Sequence, residues 1–125
     1  MTTAQLARAQ HGRGTPRVIG REELRALLAV SGARLVEALG PMYYADAHLP
    51  GAVNIPPDLV AELAADLLPD TGALVVTYCS DALCSSSVVV ARRLLDLGYA
   101  DVARYAGGKQ EWIAARLPVH RGGSP

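Results

Sequence analysis

The sequence has few cysteines, no net charge and no long hydrophobic run. Its 12 lysine and arginine residues are balanced by 12 aspartate and glutamate residues, so net charge gives no support to a nucleic-acid or membrane-surface partner. Half of the residues are hydrophobic, but no apolar segment approaches the roughly 20 residues of a membrane-spanning helix. These absences predict a soluble, globular protein.

The number and spacing of the cysteines indicate the cellular compartment and the state of the thiols. The only two cysteines are Cys79 and Cys84, which do not make a disulfide framework. Residues 1–10 lack the apolar core of a secretory signal. We therefore expect a cytoplasmic protein with free thiols. No metal site or cofactor is predicted, because two cysteines and His48 match neither the number nor the spacing of zinc ligands.

The length of 125 residues suits one domain. Residues 1–16 are polar, basic and interrupted by glycine, and are predicted to form an N-terminal extension. Residues 120–125 are predicted to be a C-terminal tail, which leaves residues 17–119 as the domain.

Within the domain, short apolar segments alternate with amphipathic ones. The predicted strands are 17–19, 34–38, 51–55, 73–78 and 102–105. The predicted helices are 22–30, 42–47, one starting near residue 58, 85–97 and one around Trp112. This alternation predicts an α/β fold with a mostly parallel, five-stranded sheet and helices on both faces.

The helix that follows Pro56 and Pro57 has two predicted faces. Leucines at helical spacing are expected to face inward, and an acidic row is expected to be solvated. The leucines are Leu59, Leu63 and Leu67, and the acidic residues are Asp58, Glu62 and Asp66.

Cys79 stands where the predicted buried strand 73–78 ends and a serine-rich helix begins. Parallel sheets bind ligands outside the carboxyl ends of their strands. Backbone N–H groups and the dipole at a helix N-terminus favour an anionic sulfur, which predicts a thiol pKa below its ordinary value of about 8.5. The placement favours a nucleophilic cysteine over a buried structural thiol.

Several segments resemble those of rhodanese-like domains. Residues 44–56 read Tyr-Ala-Asp-Ala-His-Leu-Pro-Gly-Ala-Val-Asn-Ile-Pro and resemble the family signature Gly-His-Ile-Pro-Gly-Ala-x-Asn-Ile-Pro. The strand that ends at Cys79 looks like the family's active-site strand, and residues 98–102, 107–112 and 117–119 are similar to its closing elements. The resemblance implies a rhodanese-like three-layer sandwich over residues 17–119.

The resemblance also implies an activity, that of a single-domain sulfurtransferase. Cys79 would carry a sulfane sulfur as a persulfide, taken from thiosulfate or a protein persulfide and passed to a thiol or cyanide. The loop around the outer sulfur would be formed by Ser80, Asp81, Ala82, Leu83, Cys84 and Ser85, with the backbone amides of residues 80–84 facing that sulfur.

The chain departs from the family pattern at charged positions. Cys84 stands where many relatives have an arginine, and Asp81 adds a negative charge to the loop. Glu37 replaces the usual aspartate after the second strand, and Gly40-Pro41 replaces the arginine region. Since a cation that would clamp an anion is missing, we expect thiosulfate to be a poor donor and a persulfide a better one.

Cys84 and the serines that follow it leave two interpretations open. Cys84 is either an inert thiol packed in the arginine position or a second thiol that resolves a persulfide on Cys79. The packed interpretation is preferred, because a resolving thiol would discharge a sulfur carrier prematurely. The serines from Ser85 to Ser87 fit an N-cap and first turn, and their surplus hydroxyls either donate to the outer sulfur or are solvated.

Other polar and aromatic residues are assigned structural roles. His48 and Asp46 are expected to position the turn that contains them. Trp112 and the Gly107-Gly108 pair are expected to serve packing and turn geometry. Lys109 is interpreted as a solvated lysine near the pocket rim.

Three functions remain as alternatives at this point. The first is sulfur transfer at Cys79, the second is a redox couple of Cys79 and Cys84, and the third is a binding or regulatory module without turnover. An oxyanion-clamping phosphatase is disfavoured, because no arginine lies between Cys79 and Val90.

Overall fold

The computed structural model describes residues 16–30 and 32–125. The predicted N-terminal extension therefore lies outside the described residues, except for Pro16. No helix in the described part of the chain is long and apolar enough to cross a bilayer.

The described chain alternates strands and helices. The strands are β1 (Arg17–Ile19), β2 (Arg34–Glu37), β3 (Val53–Asn54), β4 (Leu74–Tyr78) and β5 (Asp101–Tyr105). The helices are α1 (Arg21–Val30), α2 (Pro41–Asp46), α3 (Val60–Leu67), α4 (Ser86–Asp96) and α5 (Gly108–Ala114). A 3₁₀ turn, Pro57–Leu59, precedes α3.

The five strands form one sheet in the order β1-β5-β4-β2-β3, and every neighbouring pair is parallel. The predicted α/β class and five-stranded parallel sheet are confirmed. Strand β4 lies in the middle of the sheet, so its carboxyl end is flanked by β2 on one side and β5 on the other.

Successive residues of β4 point to opposite faces of the sheet and enter separate hydrophobic clusters, as the period of two in a strand requires. Val75 packs with Val36 and with the buried side of α4. Val76 packs with Leu35 and Trp112 on the other face. Both faces of the strand are covered, which explains why its sequence shows little alternation.

The prediction for Leu59 is wrong, because its side chain is 38% exposed. The segment opens with a 3₁₀ turn, which takes three residues per turn instead of 3.6 and shifts the phase of the helix that follows. Val60 and Ala64 occupy the buried positions of α3, while Leu63 and Leu67 pack partly buried against the same cluster.

The last residues of the chain run beside α2. His48 and His120 exchange backbone hydrogen bonds of 2.9 and 2.8 Å, and the Gly122 N–H donates to the Ala45 carbonyl at 2.8 Å. Arg121 donates a further bond to the Asp46 carbonyl. Backbone pairing therefore joins residues 120–122 to the segment that carries His48.

Candidate active site

Cys79 is the first residue after β4, and the first turn of α5 holds its backbone. The Cys79 carbonyl accepts the Lys109 N–H at 2.8 Å, and the Ser80 carbonyl accepts the Gln110 N–H at 2.9 Å. The two N–H groups belong to the start of a helix, where they have no intrahelical acceptor. The loop that follows Cys79 is therefore anchored to α5 at its start.

The close approach of α5 to the backbone of Cys79 explains why residue 108 is a glycine. Its φ angle is +72°, and a Cβ there would lie 2.6 Å from the Cys79 carbonyl oxygen and 2.9 Å from the Asp81 nitrogen. Only glycine meets both demands without a shift of the loop. The Gly107-Gly108 pair therefore serves turn geometry, as predicted, and the turn it makes is part of the site.

The Cys79 sulfur lies under the loop, and the residue is 1% exposed. Its thiol is 3.3 Å from the Cys84 carbonyl oxygen and 3.4 Å from the Ser87 hydroxyl oxygen. The Ser87 backbone N–H, in the first turn of α4, also interacts with this sulfur. Cys79 therefore lies between the end of β4 and the start of α4, as predicted.

The pKa of Cys79 is nevertheless raised, contrary to the sequence-based expectation. Burial is the largest cause, and the adjacent Cys84 side chain adds to it, while hydrogen bonding to Ser87 lowers the pKa by less than these raise it. The free-energy cost of removing the thiolate from water is larger here than the stabilisation that the helix N-terminus provides.

The two thiols are coupled, and Cys84 has the lower pKa. Burial of Cys84 opposes ionisation, but hydrogen bonds from the Cys79 side chain and from Ser86 and Ser80 outweigh it and lower the pKa. Cys84 is only half-buried, whereas Cys79 is fully buried. The helix N-terminus therefore stabilises negative charge first on Cys84, with the proton kept on Cys79.

The loop differs from the arrangement that the resemblance implies. The Asp81 carboxylate accepts the N–H groups of Leu83 at 2.9 Å and Cys84 at 3.1 Å. These two amides are therefore hydrogen-bonded inside the loop. The Leu83 side chain is 95% exposed at the outer edge of the loop.

The serines divide into different roles. Ser85 occupies the N-cap position of α4, as predicted, but its hydroxyl makes no capping hydrogen bond. Ser86 interacts with the Cys84 sulfur. Ser87 is buried and its hydroxyl contacts Cys79.

Lys109 is buried rather than solvated, which corrects the sequence interpretation. It is 8% exposed, and its Nζ lies 3.0 Å from the carboxylate of Glu37 and 2.9 Å from the Tyr43 carbonyl oxygen. The Tyr78 hydroxyl donates to the same carboxylate at 2.9 Å. This network joins β2, β4 and α5 beneath the loop.

Glu37 is the residue that sequence reasoning undervalued. Its pKa is raised because burial outweighs the opposing effects of Lys109 and Tyr78. A charged residue within the apolar run Leu35-Val36-Glu37-Ala38 signals a buried partner, since unpaired charges are not left in a core. The run itself could have pointed to a buried cation.

His48 has the structural surroundings that were predicted for it. Its Nδ1 hydrogen-bonds the Tyr44 carbonyl oxygen at 2.8 Å, and its ring stacks on the Tyr44 ring with centroids 3.8 Å apart. The Asp46 side chain is exposed. Trp112 is buried and donates from Nε1 to the Pro118 carbonyl at 2.7 Å. Residues 16–30 and 32–125 contain no group of three or more His, Cys, Asp or Glu side chains placed to hold a metal ion.

Fold and site together define a parallel α/β domain that presents a cysteine between a central strand and a helix N-terminus. The sequence profile of the rhodanese-like domain matches residues 20–115. The chain therefore belongs to the rhodanese-like domain family.

Individual relatives carry different names. The chain is 37% identical over 111 residues to the "HTH-type transcriptional regulator Rv0324" of Mycobacterium tuberculosis, covering 87% of this chain and 47% of that protein. The chain thus spans about half the length of this curated relative. Among solved structures, a rhodanese with anions from E. coli is 31% identical, with a TM-score of 0.59 over 72% of this chain and 99% of that one. The human single-domain sulfurtransferase TSTD1 is 27% identical, with a TM-score of 0.68 over 81% and 97%.

Replacement of Gly108 by alanine is expected to destabilise the protein more than the same change at Gly98. Both glycines have positive φ, +72° and +100°, but a Cβ at Gly98 meets nothing within 4 Å. Backbone strain alone costs about 1–3 kcal/mol, and G108A adds a contact with the loop. Chemical denaturation measures both variants. Equal losses would show that the loop yields to the added methyl group.

Lys109→Met is expected to cost about 3–5 kcal/mol at neutral pH, because it leaves the Glu37 carboxylate buried without its cation. Glu37 already has a raised pKa in the folded protein, so the folded state takes up its proton more readily than the unfolded chain. The loss should therefore shrink as pH falls from 7 toward 5. Adding Glu37→Gln to Lys109→Met should remove this pH dependence, and a pH-independent loss in the single variant would contradict the assignment.

Proposed function

We propose that this domain is a sulfurtransferase that carries a sulfane sulfur as a persulfide on Cys79. The observation that carries the proposal is the position of the Cys79 sulfur, at the end of the central strand and against the first turn of α4. The solved sulfurtransferase and rhodanese structures to which the chain is similar support the activity class.

The reaction is a pair of displacements at sulfur. The Cys79 thiolate attacks the outer sulfur of a donor, the new S–S bond forms as the donor's S–S or S–sulfonate bond breaks, and the donor leaves as a thiolate or as sulfite. An acceptor thiolate or cyanide then attacks the outer sulfur of the Cys79 persulfide and restores the Cys79 thiolate.

Cys79 must lose its proton before it attacks, and Cys84 is placed to accept it. The Cys84 sulfur has the lowered pKa and interacts with the Cys79 side chain. When the pair loses its first proton, the negative charge therefore forms on Cys84. Transfer of the remaining proton from Cys79 to Cys84 produces the nucleophile without a base from outside the site.

A second candidate function is a sulfur-responsive redox module in which Cys84 resolves the persulfide. The Cys84 thiolate would attack the inner sulfur of the Cys79 persulfide, form a Cys79–Cys84 disulfide and release hydrosulfide. An external thiol would later reduce the disulfide. Two observations favour this candidate: the contact between the two side chains and the similarity to a protein named as a transcriptional regulator.

Intact mass after treatment with a persulfide donor tests the carrier. The parent should gain one sulfur that cyanide removes, and Cys79→Ser should gain none. Cys84→Ala is the matched control and should still gain one sulfur. A gain retained in Cys79→Ser but lost in Cys84→Ala would move the carrier to Cys84.

The same measurement with thiosulfate in place of the persulfide compares the donors. We expect slower loading, because the loop from Ser80 to Ser85 contains no cation and carries Asp81. Charge-assisted contacts to an anion are worth roughly 1.5–3 kcal/mol each. Loading by thiosulfate at micromolar concentration would contradict this expectation.

The lifetime of the persulfide separates the two candidate functions. Under the proposed function Cys84 accepts a proton and does not attack the persulfide, so the persulfide should have the same lifetime in the parent and in Cys84→Ala. A markedly longer lifetime in Cys84→Ala would favour the second candidate, in which Cys84 is the resolving thiol. In that second case the parent would also release hydrosulfide and lose two hydrogens in intact mass as the disulfide forms. Equal lifetimes in the two proteins would remove the resolving role and leave Cys84 as a proton acceptor or a packed thiol.

A further inference from the structure

Ser87 is held from three sides beside the Cys79 sulfur. Its carbonyl accepts the Thr77 hydroxyl at 2.9 Å, and its own hydroxyl oxygen accepts the Nε–H of Arg104 at 3.1 Å. Thr77 and Arg104 are partners in the register of β4 and β5, so they reach Ser87 from adjacent strands. The third contact is the 3.4 Å approach to the Cys79 thiol.

A count of protons and lone pairs limits what this hydroxyl does. A serine hydroxyl has one proton and two lone pairs, and the Arg104 Nε–H occupies one lone pair. Arginine has no acceptor, so the hydroxyl proton cannot point toward Arg104. It is therefore free to point toward the Cys79 sulfur.

The thiol and thiolate states of Cys79 use this hydroxyl differently. The thiol has one proton and two acceptors within reach, the Cys84 carbonyl at 3.3 Å and the Ser87 hydroxyl oxygen at 3.4 Å. Once the proton has left, the carbonyl offers the sulfur only a lone pair. The Ser87 hydroxyl can instead turn its proton toward the anion.

We propose that Arg104 is a positioning residue for the Cys79 sulfur. By holding the Ser87 hydroxyl oxygen from the far side, Arg104 directs the hydroxyl proton to the sulfur and stabilises its anionic form. The cation missing from the active-site loop is in this way supplied by the neighbouring strand. The same bond would stabilise the Cys79 thiolate that leaves when an acceptor takes the outer sulfur, a part of the proposal that rests on the proposed function.

The test measures the pH dependence of iodoacetamide alkylation in a Cys84→Ala background, where Cys79 is the only thiol. Ser87→Ala should raise the apparent pKa of Cys79 by roughly half a unit to one unit, the equivalent of one net hydrogen bond. Arg104→Met should raise it by a comparable amount. The combination of both changes should raise it no further than Ser87→Ala alone, because Arg104 acts through Ser87.

Two further variants separate positioning from charge. Arg104→Lys keeps the charge but loses the planar guanidinium geometry, so it should behave like Arg104→Met. Arg92→Met removes an exposed arginine from α4 and should leave the apparent pKa unchanged. Circular dichroism and thermal melting of every variant confirm that the titration is measured on folded protein.

Several outcomes would overturn the proposal. They are an unchanged apparent pKa in Arg104→Met, a parental value in Arg104→Lys, additive shifts in the double variant, or an equal shift in Arg92→Met. Alkylation needs no sulfur donor, so its result is independent of the proposed activity. A persulfide that never forms while the pKa shifts are as expected would end the proposed function and leave the role of Arg104 at the thiolate standing.

Discussion

The edge of the sheet that carries Cys79 depends on the buried ion pair between Glu37 and Lys109. Glu37 ends β2 and Lys109 lies in the first turn of α5, and the Tyr78 hydroxyl at the end of β4 completes the network. The backbone N–H of Lys109 also binds the Cys79 carbonyl. One lysine therefore joins the neighbouring strand, the helix and the cysteine loop, so the position of the sulfur follows from the pairing of a charge far from solvent.

Burial raises the pKa of a thiol, whereas a helix N-terminus lowers it, and the balance differs between the two cysteines. The N-terminus of α4 favours an anion, but Cys79 is fully buried and its pKa is raised. Cys84 is closer to solvent, and its pKa is lowered. The shared proton links the two sulfurs into one titrating unit. This coupling makes Cys84 relevant to every step proposed for Cys79, whether it accepts a proton or attacks a persulfide.

The cationic side chains near this site, Lys109 and Arg104, lie outside the loop that follows Cys79. The loop from Ser80 to Ser85 contains no cation, and its acidic residue, Asp81, binds the loop's own amides. Lys109 lies beneath the site but is paired with Glu37. Arg104 comes from β5 and contacts Ser87. The electrostatics of the site are therefore set by the sheet and its closing helix.

Local pattern in the sequence was enough to predict the order of strands and helices, the parallel sheet and the place of Cys79 at the end of β4. These features follow from hydrophobic periodicity and from the position of one residue along the chain. Tertiary structure decided the phase of α3, the burial of Lys109, the pKa order of the two thiols and the contact of Arg104 with Ser87. The phase of α3 depends on a 3₁₀ turn that the leucine spacing did not indicate. The other three features depend on desolvation or on partners distant in sequence: Lys109 lies 72 positions from Glu37. A one-dimensional pattern records which residues alternate, whereas the free energy of a charge depends on what surrounds it in three dimensions.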